Sequence, residues 1–202
     1  MTQIAHGQKG SLNQSTKFKQ RIVAGLSWDA REDKVGVLGR VMKSDSQHDL
    51  DICCYIYNTS GEFIDFVGAE AQDSMDESEK IYHSGDDMSG EGDGDDERIS
   101  VELAELPDDI QAVVFMAEIR SNHVFGEVDA VTSRIVDGGT ENDLLNMALN
   151  HEDGANKNAC VLASVYRDNA ASNTGWMLNH IVDYPDILQI NDWGEYLKRY
   201  IR

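Results

Sequence analysis

Along most of the chain, apolar residues alternate with polar ones or run together in short blocks, at strand spacing rather than helical spacing. Arg21–Trp28 reads as a strand, with Gly25 marking a bend or bulge within it. Asp29–Lys34 is a charged turn. Val35–Met42 is apolar but interrupted by Gly36 and Gly39, as in a loop that packs down. Asp49–Tyr57 is a buried strand, Asn58–Gly61 its turn, and Glu62–Gly68 the alternating return strand of a hairpin. Residues 69–80 are polar and acidic, suited to a loop or a poorly defined edge. Arg98–Leu103 alternates as a half-exposed strand, Pro107-Asp108-Asp109 is a turn or a short capped helical turn, and Ala112–Ile119 is a central buried strand. Val124–Gly126 opens a segment that continues as a strand over Ala130–Val136. Ala159–Tyr166 is buried strand, followed by an Asn-rich turn from Asp168 to Gly175, and Trp176–Val182 closes the β region. Glu141–Ala148 fits a strand or a short helix. Asp192–Ile201 reads as a short C-terminal helix with Asp192 as its cap.

Many short strands with few long helical patterns predict an all-β fold, a single-domain β-sandwich. There is no tandem repeat and no linker. The expected organisation is a polar N-terminal tail over 1–19, the sandwich over 20–184, and a partly helical C-terminal extension over 185–202.

Charge narrows the function. The 202 residues carry 37 Asp and Glu against 17 Lys and Arg, a net charge of −20. Such a chain repels nucleic acid and anionic membrane surfaces unless a cation bridges them, so direct nucleic-acid binding is not expected. No stretch approaches the roughly 20 apolar residues of a membrane span, and Met1–Gly10 lacks the apolar core of a signal peptide. The expected compartment is the cytoplasm. Three cysteines, two of them adjacent, do not form a disulfide framework. In a strand, Cys53 and Cys54 face opposite sides, and all three thiols read as buried and structural, with a soft-metal or metalloid thiol site as the alternative. Trp28, Trp176 and Trp193 read as core or core-edge anchors.

The candidate chemistry lies in one run. His83–Glu97 packs carboxylates onto a glycine-laced backbone, with Gly90, Gly92 and Gly94 at alternate positions. Like charges crowded together repel and raise one another's pKa, so the run needs a cation among them or full solvation. Oxygen-only ligands suit a hard cation, and calcium fits best. Solvation alone requires no glycine at every second position, whereas glycine lets carboxylates and carbonyls turn toward one point. An EF-hand is excluded: Met88 and Gly90 fall where its third and fifth loop residues need oxygen ligands, and Glu91 falls where it needs glycine. A phosphate loop would need the lysine that this run lacks, and a calcium roll would need many copies of a motif present once. What remains is a calcium site on sandwich loops, completed by Asp49 and Asp51, which share one face of an extended strand. His83 borders the run, able to hydrogen-bond a ligand carboxylate or simply to close a strand end. The six histidines form no zinc pattern.

Taken together, Gly25–Asp29, Asp49-Leu50-Asp51, His83–Asp86, Gly90–Glu97, Phe125–Val128 and Val165–Arg167 resemble the tellurium-resistance TerD-type family of bacterial stress proteins, in the expected order from about residue 20 to about residue 182. The stretch between Asp29 and Asp49 is similar to that of the family's longer members, and Asp87 stands where an Asn is usual. The resemblance implies a calcium-binding β-sandwich linked to tellurite, phage or chemical-stress resistance. It implies that Asp49, Asp51 and the carboxylates of 86–97 (Asp86, Asp87, Glu91, Asp93, Asp95, Asp96 and Glu97) match the calcium motif. The clustering leads us to expect two Ca2+ ions. The expected function is a non-catalytic module whose ordered loops dock other stress-resistance proteins or a membrane-associated assembly. The alternative is an enzyme, either a metal-assisted hydrolase or a thiol-based metalloid-handling protein using Cys53, Cys54 or Cys160.

Overall fold

Two antiparallel sheets face each other across one continuous apolar layer. They are seen in a computed structural model that describes residues 3–12, 20–30, 48–91, 94–168 and 175–202. Asp93, the Val35–Met42 stretch and most of the turn between Asp168 and Gly175 lie outside the described residues. The strands are β1 (Lys9–Ser11), β2 (Ile22–Ser27), β3 (Leu50–Asn58), β4 (Phe63–Val67), β5 (Ile81–His83), β6 (Glu97–Val101), β7 (Ile110–Ile119), β8 (Thr132–Asp137), β9 (Asp143–Ala148), β10 (Ala159–Asp168) and β11 (Gly175–Asp183). One sheet has the order β1-β11-β10-β7-β3-β4, the other β5-β6-β2-β8-β9. The expected all-β sandwich is therefore present, and the ambiguous Glu141–Ala148 segment is strand from Asp143 onward.

Alternation explains which side chain goes where. On β3, Leu50, Ile52, Cys54 and Ile56 join the core between the sheets, whereas Cys53, Tyr55 and Tyr57 face the other way. The adjacent cysteines thus split between two faces, and all three thiols are free and buried. The outward face of the six-stranded sheet is not bare. The C-terminal segment lays Leu197 and Ile201 over Tyr57, Val114, Met116 and Val161, with Trp193, Tyr196 and Tyr200 packed alongside. It does so through α1 (Trp193–Leu197), capped by Asp192, which accepts the Glu195 N–H at 3.0 Å. A 3-10 turn over Lys198–Tyr200 follows.

Two local readings change. Residues 9–11 fall within the segment expected to be a polar tail, yet they pair with β11 as the sheet's edge strand. Gly25 marks no bend: β2 pairs with β6 and β8 in unbroken register on both sides of it. A Cβ at Gly25 would stand 2.4 Å from the Asp95 carboxyl carbon, so the missing side chain makes room for that carboxylate.

Candidate metal centre

The first residues of β3 lie beside the last of β7. Asp51 is in register with Glu118, and two residues further the Arg120 N–H donates to the Asp49 carbonyl at 2.8 Å. By alternation, Asp49 and Asp51 fall on the face that Cys53 shares, the one turned away from the second sheet. After β5 the chain turns at Gly85, whose φ of +106° lies in the left-handed region that favours glycine, and delivers Asp86 to the same place. One carboxylate oxygen from each of Asp49, Asp51 and Asp86 lies within 4.8 Å of the others. They line a cavity of about 710 Å3 together with Ser74, His83 and Arg120.

The three carboxylates differ in setting. Asp51 is buried, Asp49 half-buried and Asp86 exposed. Burial raises the Asp49 pKa, the charges of Asp51 and Asp86 raise it further, and Arg120 opposes them. The Arg120 Nε–H donates to Asp51 Oδ2 at 2.7 Å, and Nη1 lies 3.8 Å from Glu118. The donor set fits a hard divalent cation, because it offers carboxylate oxygens without a thiolate or imidazole among the three. Oxygens on one calcium ion at 2.3–2.6 Å can be no more than about 5 Å apart, and this trio meets that bound.

The other expected ligands are placed differently. Glu97 is fully buried at the start of β6. Its Oε2 accepts the Ile52 N–H at 2.9 Å and its Oε1 accepts the Asp87 N–H at 3.1 Å. Pairing between β3 and β4 begins only at Cys54, so Glu97 supplies an acceptor that the neighbouring strand does not. The Gly85 N–H donates to His83 Nδ1 at 3.0 Å, which puts the imidazole proton on Nε2, 3.3 Å from Glu97 Oε2. Burial raises the Glu97 pKa, with the contacts from His83, Ile52 and Asp87 working against it.

Asp87 Oδ1 accepts from the Ser89 N–H and hydroxyl and from the Gly90 N–H, at 2.7, 2.9 and 3.1 Å. Burial works against ionisation there, but these hydrogen bonds prevail and hold the carboxyl below its usual range. Asp95 makes a two-pronged pair with Arg134, at 2.7 and 3.0 Å, on the outer side of the five-stranded sheet. Asp96 accepts the Trp28 N–H at 2.9 Å. Its pKa is raised by burial, with the Trp28 bond opposing, and further by the charges of Asp87, Asp95 and Asp29. Glu91 is exposed. The structure thus brings Asp49, Asp51 and Asp86 together, gives Asp87, Asp95 and Glu97 protein partners, and puts Asp96 within electrostatic reach of Asp87 and Asp29.

Sequence reasoning did not single out Arg120 or Asp29 as part of the site. Alternation along β7 puts Glu118 and Arg120 on one face, but only the β3–β7 register puts that face beside Asp49 and Asp51.

A two-sheet antiparallel sandwich with a carboxylate-lined cavity beside its central strands is the class of protein these features define. The chain belongs to the TerD domain family, whose model matches residues 1–181 and so takes in the N-terminal strand. Tellurium resistance protein TerZ of Serratia marcescens is 31% identical over 137 residues, covering 68% of this chain and 69% of that one. General stress protein 16U of Bacillus subtilis (strain 168) is 30% identical over 176 residues, covering 82% and 83%. The crystal structure of a homologue of a telluride resistance protein (TerD) from Streptomyces coelicolor A3(2) superposes with a TM-score of 0.66 at 20% identity, covering 83% of this chain and 90% of that one; it shares the fold. No helix among the described residues is long and apolar enough to cross a membrane.

Proposed function

We propose that this chain is a calcium-binding, non-catalytic stress-response protein. In this reading Asp49, Asp51 and Asp86 take up Ca2+ and fix the 84–91 loop against the sheet as a docking surface. The observation that carries the reading is the convergence of three carboxylates from two separate segments on one cavity, where Asp51 and Asp86 raise the cost of the Asp49 charge. A divalent cation relieves that repulsion and links the segments. Asp29 and Asp96 are the candidate carboxylates for the second of the two proposed ions, the Asp29 charge raising the cost of ionising Asp96. The names of the relatives, tellurium resistance and general stress proteins, supply the cellular setting. Other stress-resistance proteins, or an assembly at the membrane, are the proposed partners, and the cytoplasm the proposed compartment.

The thiol-enzyme alternative gains no support from the described geometry. Cys53, Cys54 and Cys160 are buried, and burial raises the pKa of each, the reverse of an activated nucleophile.

Calorimetric titration of the chelator-stripped protein with calcium, with magnesium as the control and thermal unfolding followed in parallel, tests the proposal. Saturable, calcium-selective binding with a rise in melting temperature is the expected result. Carboxylate-rich loop sites span roughly 10⁻⁹ to 10⁻³ M, so the measured affinity separates a sensor from a permanently filled structural site. Absence of both heat and stabilisation would reject it.

A further inference from the structure

We propose that Arg120 is a tethered counter-ion of the carboxylate cavity, a built-in competitor that calcium must displace and that sets the affinity of the site. This rests on the calcium reading above and deepens it.

Three observations carry it. The residue is anchored at its backbone, where its N–H donates to the Asp49 carbonyl, so its side chain starts beside the carboxylates. Its Nε–H then donates to Oδ2 of Asp51, the buried member of the trio, at 2.7 Å, while one oxygen each of Asp49 and Asp86 lies within 4.8 Å of an Asp51 oxygen. Finally, the Arg120 side chain is 49% exposed, against 10% for Asp51. The cation can therefore leave toward water, and the anion cannot.

The guanidinium and a calcium ion draw on the same negative charge of the Asp51 carboxylate. A single charge held by one short hydrogen bond and a 3.8 Å ion pair to Glu118 yields to a divalent ion that the three carboxylates can share. Until then it offsets part of their repulsion and keeps the empty cavity from splaying. Arg120 thus lowers calcium affinity and steadies the ion-free state, which moves the response of the loop to higher calcium concentration.

The test is calcium titration of the parent chain, Arg120→Gln and Arg120→Lys, with melting temperatures recorded in chelator and in saturating calcium. Arg120→Gln is expected to bind calcium about ten-fold more tightly, the scale of one partly exposed charge-assisted hydrogen bond. It should melt lower than the parent in chelator and level with it in calcium, which also shows that it folds. Arg120→Lys, keeping the charge, should stay near the parent. If the parent binds calcium and the Gln variant binds no more tightly, the competition is overturned while the calcium reading stands. If the parent takes up no calcium, the calcium reading falls and the competition falls with it.

Discussion

Glu97 and Asp86 belong to the same acidic run, yet the fold treats them in opposite ways. Glu97 has no exposed surface and is surrounded by donors: the Ile52 and Asp87 N–H groups and the imidazole of His83. Asp86 is exposed and faces two more carboxylates. The difference teaches that an acidic run is not one chemical object. Carboxylates met by N–H groups become structural acceptors, and carboxylates met by other carboxylates are those proposed to take up calcium. Asp95, held by Arg134, belongs with the first kind, and Asp49 and Asp51 with the second, Asp51 tempered by Arg120.

The sharpest way to break this comparison is Glu97→Ala. It strands the buried Ile52 N–H and the half-buried Asp87 N–H and removes the carboxylate beside the His83 imidazole, and should cost about 3–5 kcal/mol in urea unfolding, with or without calcium. A variant of unchanged stability that had lost calcium binding would move Glu97 into the ion site. Next in size, Asp95→Asn should cost about 1–2 kcal/mol by weakening the pair with Arg134, and its calcium isotherm should overlay the parent's. A lost isotherm would show that the carboxylate turns inward when the ion arrives. Asp86→Asn should leave stability in chelator within about 0.5 kcal/mol but remove most of the calcium-induced rise in melting temperature.

The smallest effect is on titration. In calcium-free protein, Asp49 should titrate above its ordinary 3.8 and Asp87 below it, read from carboxyl carbon resonances. The signs for stability are opposite. Asp49, with its folded pKa raised, contributes stability below 3.8 that is lost as pH rises through the folded value. Asp87, with its folded pKa lowered, contributes stability above 3.8 that is lost as pH falls through the folded value. Saturating calcium should pull the Asp49 midpoint down. If Asp49 and Asp87 titrate together, the distinction between the two kinds of carboxylate fails.

The strands were legible because a half-buried sheet imposes a period of two, and the blocks around β3, β7 and β10 carry it plainly. The pairing of Asp49 with Asp51 was legible for the same reason. β1 was not, because a three-residue edge strand with Lys, Gly and Ser has no apolar alternation to reveal it. Gly25 was misread because a glycine that clears space for a distant carboxylate looks, in sequence, like one that bends its own strand.

By itself, then, the sequence determined the antiparallel β class, the acidic character and the two segments from which a cation site could be built. These depend on periodicity and composition, which are local. Tertiary structure alone decided which carboxylates meet donors and which meet one another, that Arg120 stands beside Asp51, and that the C-terminal segment covers the sheet's outer face. Those outcomes depend on strand register and on loops closing across the sheet edge, where contacts join residues far apart in the chain and the energy of a charge is set by its neighbours in space.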